Sequence, residues 1–276
     1  MDETSQTETY PIATIDDTAE SDDLLTVCAI SVLAAMLADV LHEAVGHAAV
    51  ALLTGAQSGN LSTVAWSSTF DSRLVAAGGT LVNLVAGGIF WFALAAARKA
   101  SPQLGYFYLV SCIFNLFDGT GYFFFSGVTN FGDWARVIQG LEPYWMWRTG
   151  LILVGVASYF GAVLLAGIGF ARHLGISPRD RRLRRLSIPA YASAIAVVGI
   201  SGMFNPIGIR FVWLSALPAT AGAYSGLLWF RYYVPKSVAA KRMAEAIERS
   251  YAWIALAATS CLVFVFVLGR GITLSQ

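Results

Sequence analysis

The sequence predicts an all-α polytopic membrane protein with about seven transmembrane helices, and three observations carry that expectation. Of 276 residues, 57% are hydrophobic and only 13% charged, and the mean hydropathy of +0.62 is too high for a soluble domain. Apolar runs near the roughly 20 residues needed to cross a hydrocarbon core recur along the chain. The basic residues gather in alternate connections between those runs.

Residues 1–23 contain eight acids and no Lys or Arg, which predicts a solvated, disordered acidic arm. It lacks the basic start of a cleavable signal peptide, so the first span is expected to remain as an anchor. The expected spans are 24–54, 74–97, 104–126, 149–173, 187–205, 211–233 and 251–269. Pro189 and the Asn205-Pro206 pair shorten the fifth. Assigned to sides, 13 of the 18 Lys and Arg share the N-terminal side and five the other, predicting a cytoplasmic N-terminus and an external C-terminus. The cluster between Arg179 and Arg185 reads first as a topology determinant that also attracts acidic headgroups. Residues 238–250 could form an amphipathic surface helix. Cys28, Cys112 and Cys261 are scattered through apolar runs and read as packing residues. A net charge of +1 gives no hint of a nucleic-acid partner.

Ionisable residues inside the spans are unevenly distributed. Asp39, His42, Glu43 and His47 fall in the first and Asp118 in the third, whereas spans four to seven carry none away from their ends. Such residues are costly at bilayer depth and mark functional sites. Their concentration in one half, without an internal repeat, argues against a transporter. His42-Glu43-Ala44-Val45-Gly46-His47 holds two of only three histidines in the chain. Adjacent His and Glu on a helix suit a zinc hydrolase. On a regular helix, however, a residue at i+5 is turned by about 140° from the first, so the rings would diverge. A π-bulge around Val45 and Gly46 would restore both to one face. The type III dipeptidyl peptidases use a similar local His-Glu-x-x-Gly-His pattern.

Over roughly residues 35–125 the chain resembles the site-2 protease family of membrane-embedded zinc metallopeptidases. The resemblance rests on His42-Glu43 with His47, on Gly78-Gly79-Thr80-Leu81-Val82-Asn83, and on Asp118-Gly119, although Gly79 stands where the family usually has proline. It implies a zinc site built on spans one and three, with His42, His47 and Asp118 as ligands and Glu43 as the base that activates zinc-bound water. It further implies peptide-bond hydrolysis in membrane-protein or peptide substrates, with Asn83 a helper at the developing oxyanion or the substrate backbone. Asn115 and Asp39 are candidates to orient Asp118 and His42 respectively. The organisation expected on this basis is an arm at 1–23, a three-helix catalytic core at 24–126, an interfacial loop at 127–148, a four-helix region at 149–270 and a tail at 271–276.

Residues 60–70 predict either a short hairpin that pairs with an extended substrate or an ordinary loop. Asp133 reads as a helix cap, with replacement of Asp118 at the metal as the alternative. A different class also stays open: a non-catalytic membrane protein that binds or regulates partners, its histidines and acids forming a metal-free polar cluster.

Overall fold

The computed structural model describes residues 21–96, 101–176, 180–206, 208, 212–213, 217–233 and 245–276. Asp23 opens the first helix by accepting hydrogen bonds from the Thr26 backbone N–H at 2.9 Å and the Thr26 hydroxyl at 2.8 Å. From there α1 (Leu24–Val40), a π-helical segment (Leu41–Ala49) and α2 (Val50–Thr54) form one continuous helix of 31 residues. It ends at Gly55, whose φ of 136° is open to glycine but strained for other residues.

A small antiparallel sheet follows. β1 (Ser58–Leu61) pairs with β2 (Trp66–Ser67) in a hairpin, with Leu61 opposite Trp66. The third strand, β3 (Ile272–Ser275), comes from the C-terminus and pairs with the other side of β1, Leu61 lying opposite Ile272. The strand order β2-β1-β3 leaves β2 at an edge. The hairpin is therefore realised, whereas the C-terminal residues expected as a tail are a structural strand. Leu61, Trp66, Ala48, Ala51 and Val75 make a small apolar cluster beneath the sheet, with Ile272 and Leu274 against it.

The remaining helices build the frame. α3 (Arg73–Ala96) is opened by Ser72, whose hydroxyl accepts from the Val75 N–H at 3.2 Å. α4 (Pro102–Thr129) begins with a Ser101 cap and a first-turn proline, and ends at left-handed Asn130. A short α5 (Asp133–Val137) precedes α6 (Tyr144–Leu174) and α7 (Arg181–Met203). Then come α8 (Leu217–Tyr224), α9 (Gly226–Trp229), a 3₁₀ turn (Phe230–Tyr233) and α10 (Tyr251–Val263), which passes into a second π turn (Phe264–Leu268). The main core joins Val27, Ile30 and Met36 of α1 to Tyr106, Phe114 and Phe117 of α4, Phe170 of α6 and Leu186 of α7.

Among the described residues, five helices are long and apolar enough to cross a membrane: Leu24–Thr54, Arg73–Ala96, Tyr144–Leu174, Arg181–Met203 and Tyr251–Leu268. The chain is thus a mostly helical membrane protein. The expected third span lies in α4, whose 28 residues are interrupted by Asn115, Asp118 and several Gly, Ser and Tyr, and α4 is not one of the five. The expected sixth falls on short pieces, and part of it lies outside the described residues.

Residues 1–20 of the expected arm also lie outside the described residues, but its last residues belong to the fold. Asp22 is buried and bound bidentately by Arg182, at 2.8 Å on each oxygen, and also accepts from the Ile247 N–H at 2.9 Å. Asp23 pairs with Arg249 at 2.9 Å, and its N–H donates to the Ile247 carbonyl. Hydrogen bonding from the Thr26 N–H holds the Asp23 carboxyl below its ordinary range, with Arg249 adding to the effect. Of the surface helix expected at 238–250, residues 245–250 are non-helical and the others lie outside the described residues.

Among the described glycines, the closest approach joins the π segment to α3. A Cβ on Gly46 would collide with the Gly79 backbone, and one on Gly78 with the Gly46 carbonyl. Gly46→Ala and Gly78→Ala should each lower stability in detergent by about 1–3 kcal/mol, the range for overpacking. Gly88→Ala, on the same helix with nothing within 4 Å of the new atom, should change the unfolding midpoint little.

Candidate metal centre

The wide winding at residues 41–49 brings His42 and His47 to the same face, their ring centroids 4.8 Å apart at an interplanar angle of 75°. Five residues in a π turn cover the arc that about four cover in an α-helix, so the extra residue in the motif is absorbed. With Glu43, the two histidines bring one potential ligand atom each to within 4.8 Å of one another, and all three residues are buried.

α3 seats both rings from residues spaced four apart. Val75 supplies a carbonyl 2.7 Å from His47 Nδ1, Asn83 an amide 3.3 Å from His42 Nδ1, and Gly79 the floor between them. A Cβ on Gly79 would lie 2.5 Å from His42 Nε2 and 2.6 Å from His47 Nε2, so only glycine leaves room for both nitrogens. The protons of the His47 ring follow from its partners. A carbonyl can only accept, so Nδ1 carries a proton; Nε2–H then donates to Asp133, and a metal taking the place of that second proton would meet a lone pair at Nε2. Asn83 Oδ1 has no partner among the described residues. Turning the amide over would let Oδ1 accept from His42 Nδ1–H and leave the second Nε2 to face a metal in the same way.

Asp133 closes the arrangement from outside the long helices. Its Oδ2 lies 3.1 Å from His42 Nε2 and 3.3 Å from His47 Nε2. Gly132, with φ 83°, turns the chain so that Asp133 becomes the first residue of α5, and it makes no side-chain cap there. Burial disfavours its ionised form, but hydrogen bonding to His42 and His47 outweighs this and holds the carboxyl well below the usual range.

Several residues expected at the site have other partners. Asp118 accepts from the Tyr224 hydroxyl at 2.7 Å and makes no ion pair with either histidine, whereas Asp133 lies beside both. Asn83 is fully buried and does not line the cavity, and its amide pairs with His42. Asn115 donates to the Ser111 carbonyl at 2.8 Å and so does not orient Asp118. Asp39 is not hydrogen-bonded to His42, and its Oδ2 has no partner among the described residues. Sequence reasoning also missed Tyr122, stacked on His42 with centroids 4.9 Å apart. Its position four residues after Asp118, hence on the same helix face, was the available signal.

A cavity of about 730 Å³ opens on the cluster. Asp39, His42, Glu43, His47 and Asp118 are among its lining residues, as are residues 63–68, which include edge strand β2. The cavity, the buried His-Glu-x-x-x-His cluster and the apolar helices together define a helical membrane protein with a candidate metal centre. Comparison with protein-family models, curated proteins and solved structures yields no match.

Because Gly79 is the floor beneath both Nε2 atoms, Gly79→Ala should weaken divalent-metal binding about 10–100-fold, the range for a group that orients ligands. Calorimetric titration of metal into chelator-treated protein would measure this, with Gly88→Ala unchanged.

Proposed function

We propose that the chain is a membrane-embedded zinc metallopeptidase in which His42, His47 and Asp133 hold the metal and Glu43 is the catalytic base. One observation carries the reading: two buried imidazole nitrogens converge on a single carboxylate oxygen at 3.1 and 3.3 Å, while the Val75 carbonyl accepts a hydrogen bond from His47 Nδ1–H. Tetrahedral zinc with bonds of about 2.0–2.1 Å has ligand-to-ligand edges near 3.3–3.4 Å, so these separations suit the ion. The donor set of two neutral imidazoles and one carboxylate also suits zinc with a position left for chemistry.

When bound, zinc supplies Lewis-acid polarisation and a nucleophile that is active near neutral pH. The protein's own groups supply the rest. Glu43 Oε2 lacks a hydrogen-bond partner among the described residues while its residue lines the cavity, so it is free to take a proton and pass it to the leaving amine. Its neighbour His42 is held by Asn83 and by the Tyr122 stack, which limits ring motion during that transfer. Strand β2 lies at the edge of the sheet and borders the cavity, where an extended segment could lie, as hydrolysis of a substrate helix requires local unwinding. Membrane-protein or peptide segments within the bilayer are therefore the proposed substrates.

The excess of basic residues on the N-terminal side supports a cytoplasmic N-terminus. With that orientation, Asp133 and the sheet lie towards the external face. The expected count of seven crossings, with α4 among them, belongs to this proposal.

Metal analysis of the purified protein should find about one zinc per chain. His42→Ala and Asp133→Asn should lose it, whereas Asp118→Asn should keep it. Glu43→Gln should retain zinc and cleave a pooled library of quenched-fluorescent apolar peptides at least about 10²-fold more slowly, as expected for loss of the general base. Wild-type protein without zinc would leave a metal-free polar cluster, and unchanged biological activity in Glu43→Gln would favour a binding protein.

A further inference from the structure

Tyr122 is the cavity residue whose chemistry the proposed peptidase has not yet used. It lies on α4, lines the cavity, and stacks on His42 with an interplanar angle of 29°. Phe125 meets the same ring edge-on at 6.1 Å. A tyrosine has two side-chain torsions, so a ring held on both sides has little freedom left, and its oxygen takes its place relative to the imidazole.

The hydroxyl has no hydrogen-bond partner among the described residues. The two other phenols that line the cavity are differently employed, because Tyr224 donates to Asp118 at 2.7 Å and Tyr144 donates to Asn130 Oδ1. Asp39, Glu43, Asp118 and Asp133 line the same cavity as Tyr122. A phenol beside a cavity near neutral pH is a donor awaiting an acceptor. Asn83, the amide anticipated for the developing oxyanion, is committed to His42 behind the cavity wall. Hydrolysis of an amide builds negative charge on the carbonyl oxygen, and a fixed donor in a water-poor site stabilises it strongly.

We propose that Tyr122 is a further catalytic residue, its O–H donating a hydrogen bond to the scissile carbonyl oxygen as the tetrahedral intermediate forms. The inference rests on the peptidase reading of the same site. No proton leaves the phenol in this step: the hydrogen bond strengthens as charge develops and relaxes when the carbonyl reforms. The stack holds the Tyr122 ring against His42, so the phenol and the imidazole face the same cavity.

Tyr122→Phe keeps the ring and removes only the oxygen. Zinc content and zinc affinity should match the wild type, and KM for the fluorogenic apolar peptide library should stay within about twofold. The expected loss is about 10²–10³-fold in kcat, with a comparable loss of affinity for a phosphonamidate peptide that mimics the tetrahedral intermediate. Tyr122→Leu, which also removes the stack, should weaken zinc binding as well, separating support of His42 from donation. A Tyr122→Phe protein with wild-type kcat and phosphonamidate affinity overturns the role of Tyr122 and leaves the peptidase reading standing. Wild-type protein that neither binds zinc nor cleaves overturns that reading and this inference together.

Discussion

The close contact of two backbones, Gly46 on the first helix against Gly78 and Gly79 on α3, is the constraint on which the rest depends. With no Cβ on either side, α3 comes near enough for one stripe of residues to seat two imidazoles. Val75, Gly79 and Asn83 follow one another at intervals of four and so share a helix face. One accepts a hydrogen bond from His47, one leaves space beneath both Nε2 atoms, and one holds the outer nitrogen of His42. A side chain at any of the three glycines would push the helices apart and lengthen both histidine contacts together.

The π segment and the glycine contact support each other. Widening the helix turns His47 towards His42, and it leaves a bulge that a neighbouring helix with ordinary side chains could not approach. In a bilayer, where apolar burial gives little reason for helices to associate, such close backbone packing and satisfied polar contacts hold the pair. Buried ionisable groups at this depth are tolerable because each histidine has both ring nitrogens occupied.

The site also depends on distant parts of the chain. Asp133 arrives from the connection between α4 and α6, and Tyr224 of α8 takes up the Asp118 carboxylate. The C-terminal strand completes the sheet beside the cavity, Thr63 and Ser201 hydroxyls tie the hairpin to α7 at 2.7 Å, and the Ser201 hydroxyl reaches the Phe264 carbonyl. A core formed by the first three long helices alone would thus lack a carboxylate clamp, an edge-to-edge sheet and the partner of Asp118. At the opposite end, Asp22 and Asp23 lock the start of the first helix to Arg182, Ile247 and Arg249.

What the chain declares locally can be read from its residues in order. Apolar runs announce membrane helices because their composition is a property of each segment. The i+5 spacing of His42 and His47 requires a wide turn because helical rotation per residue is nearly constant, and the helix is wound wide there. Residues 60–70 left a hairpin and a plain loop both open, because short runs of β-prone residues between turn formers permit either, and pairing with the C-terminal strand accompanies the hairpin that forms. The third carboxylate is another matter. Asp118 and Asp133 are both acids after the same glycine-rich helix, and nothing in their spacing ranks them. The choice is made by Tyr224, 106 residues beyond Asp118, and by a positive-φ turn at Gly132 that aims Asp133 back at the rings. Likewise the last residues pair with β1 only because the final helix returns to the side on which the hairpin lies. Sequence alone determined the membrane setting, the His-Glu-His cluster and its wide turn, since each follows from neighbours within a few residues. Tertiary structure decided which acid faces the histidines, what Asn83 holds and how the sheet is closed, since those depend on which distant groups compete for the same partner.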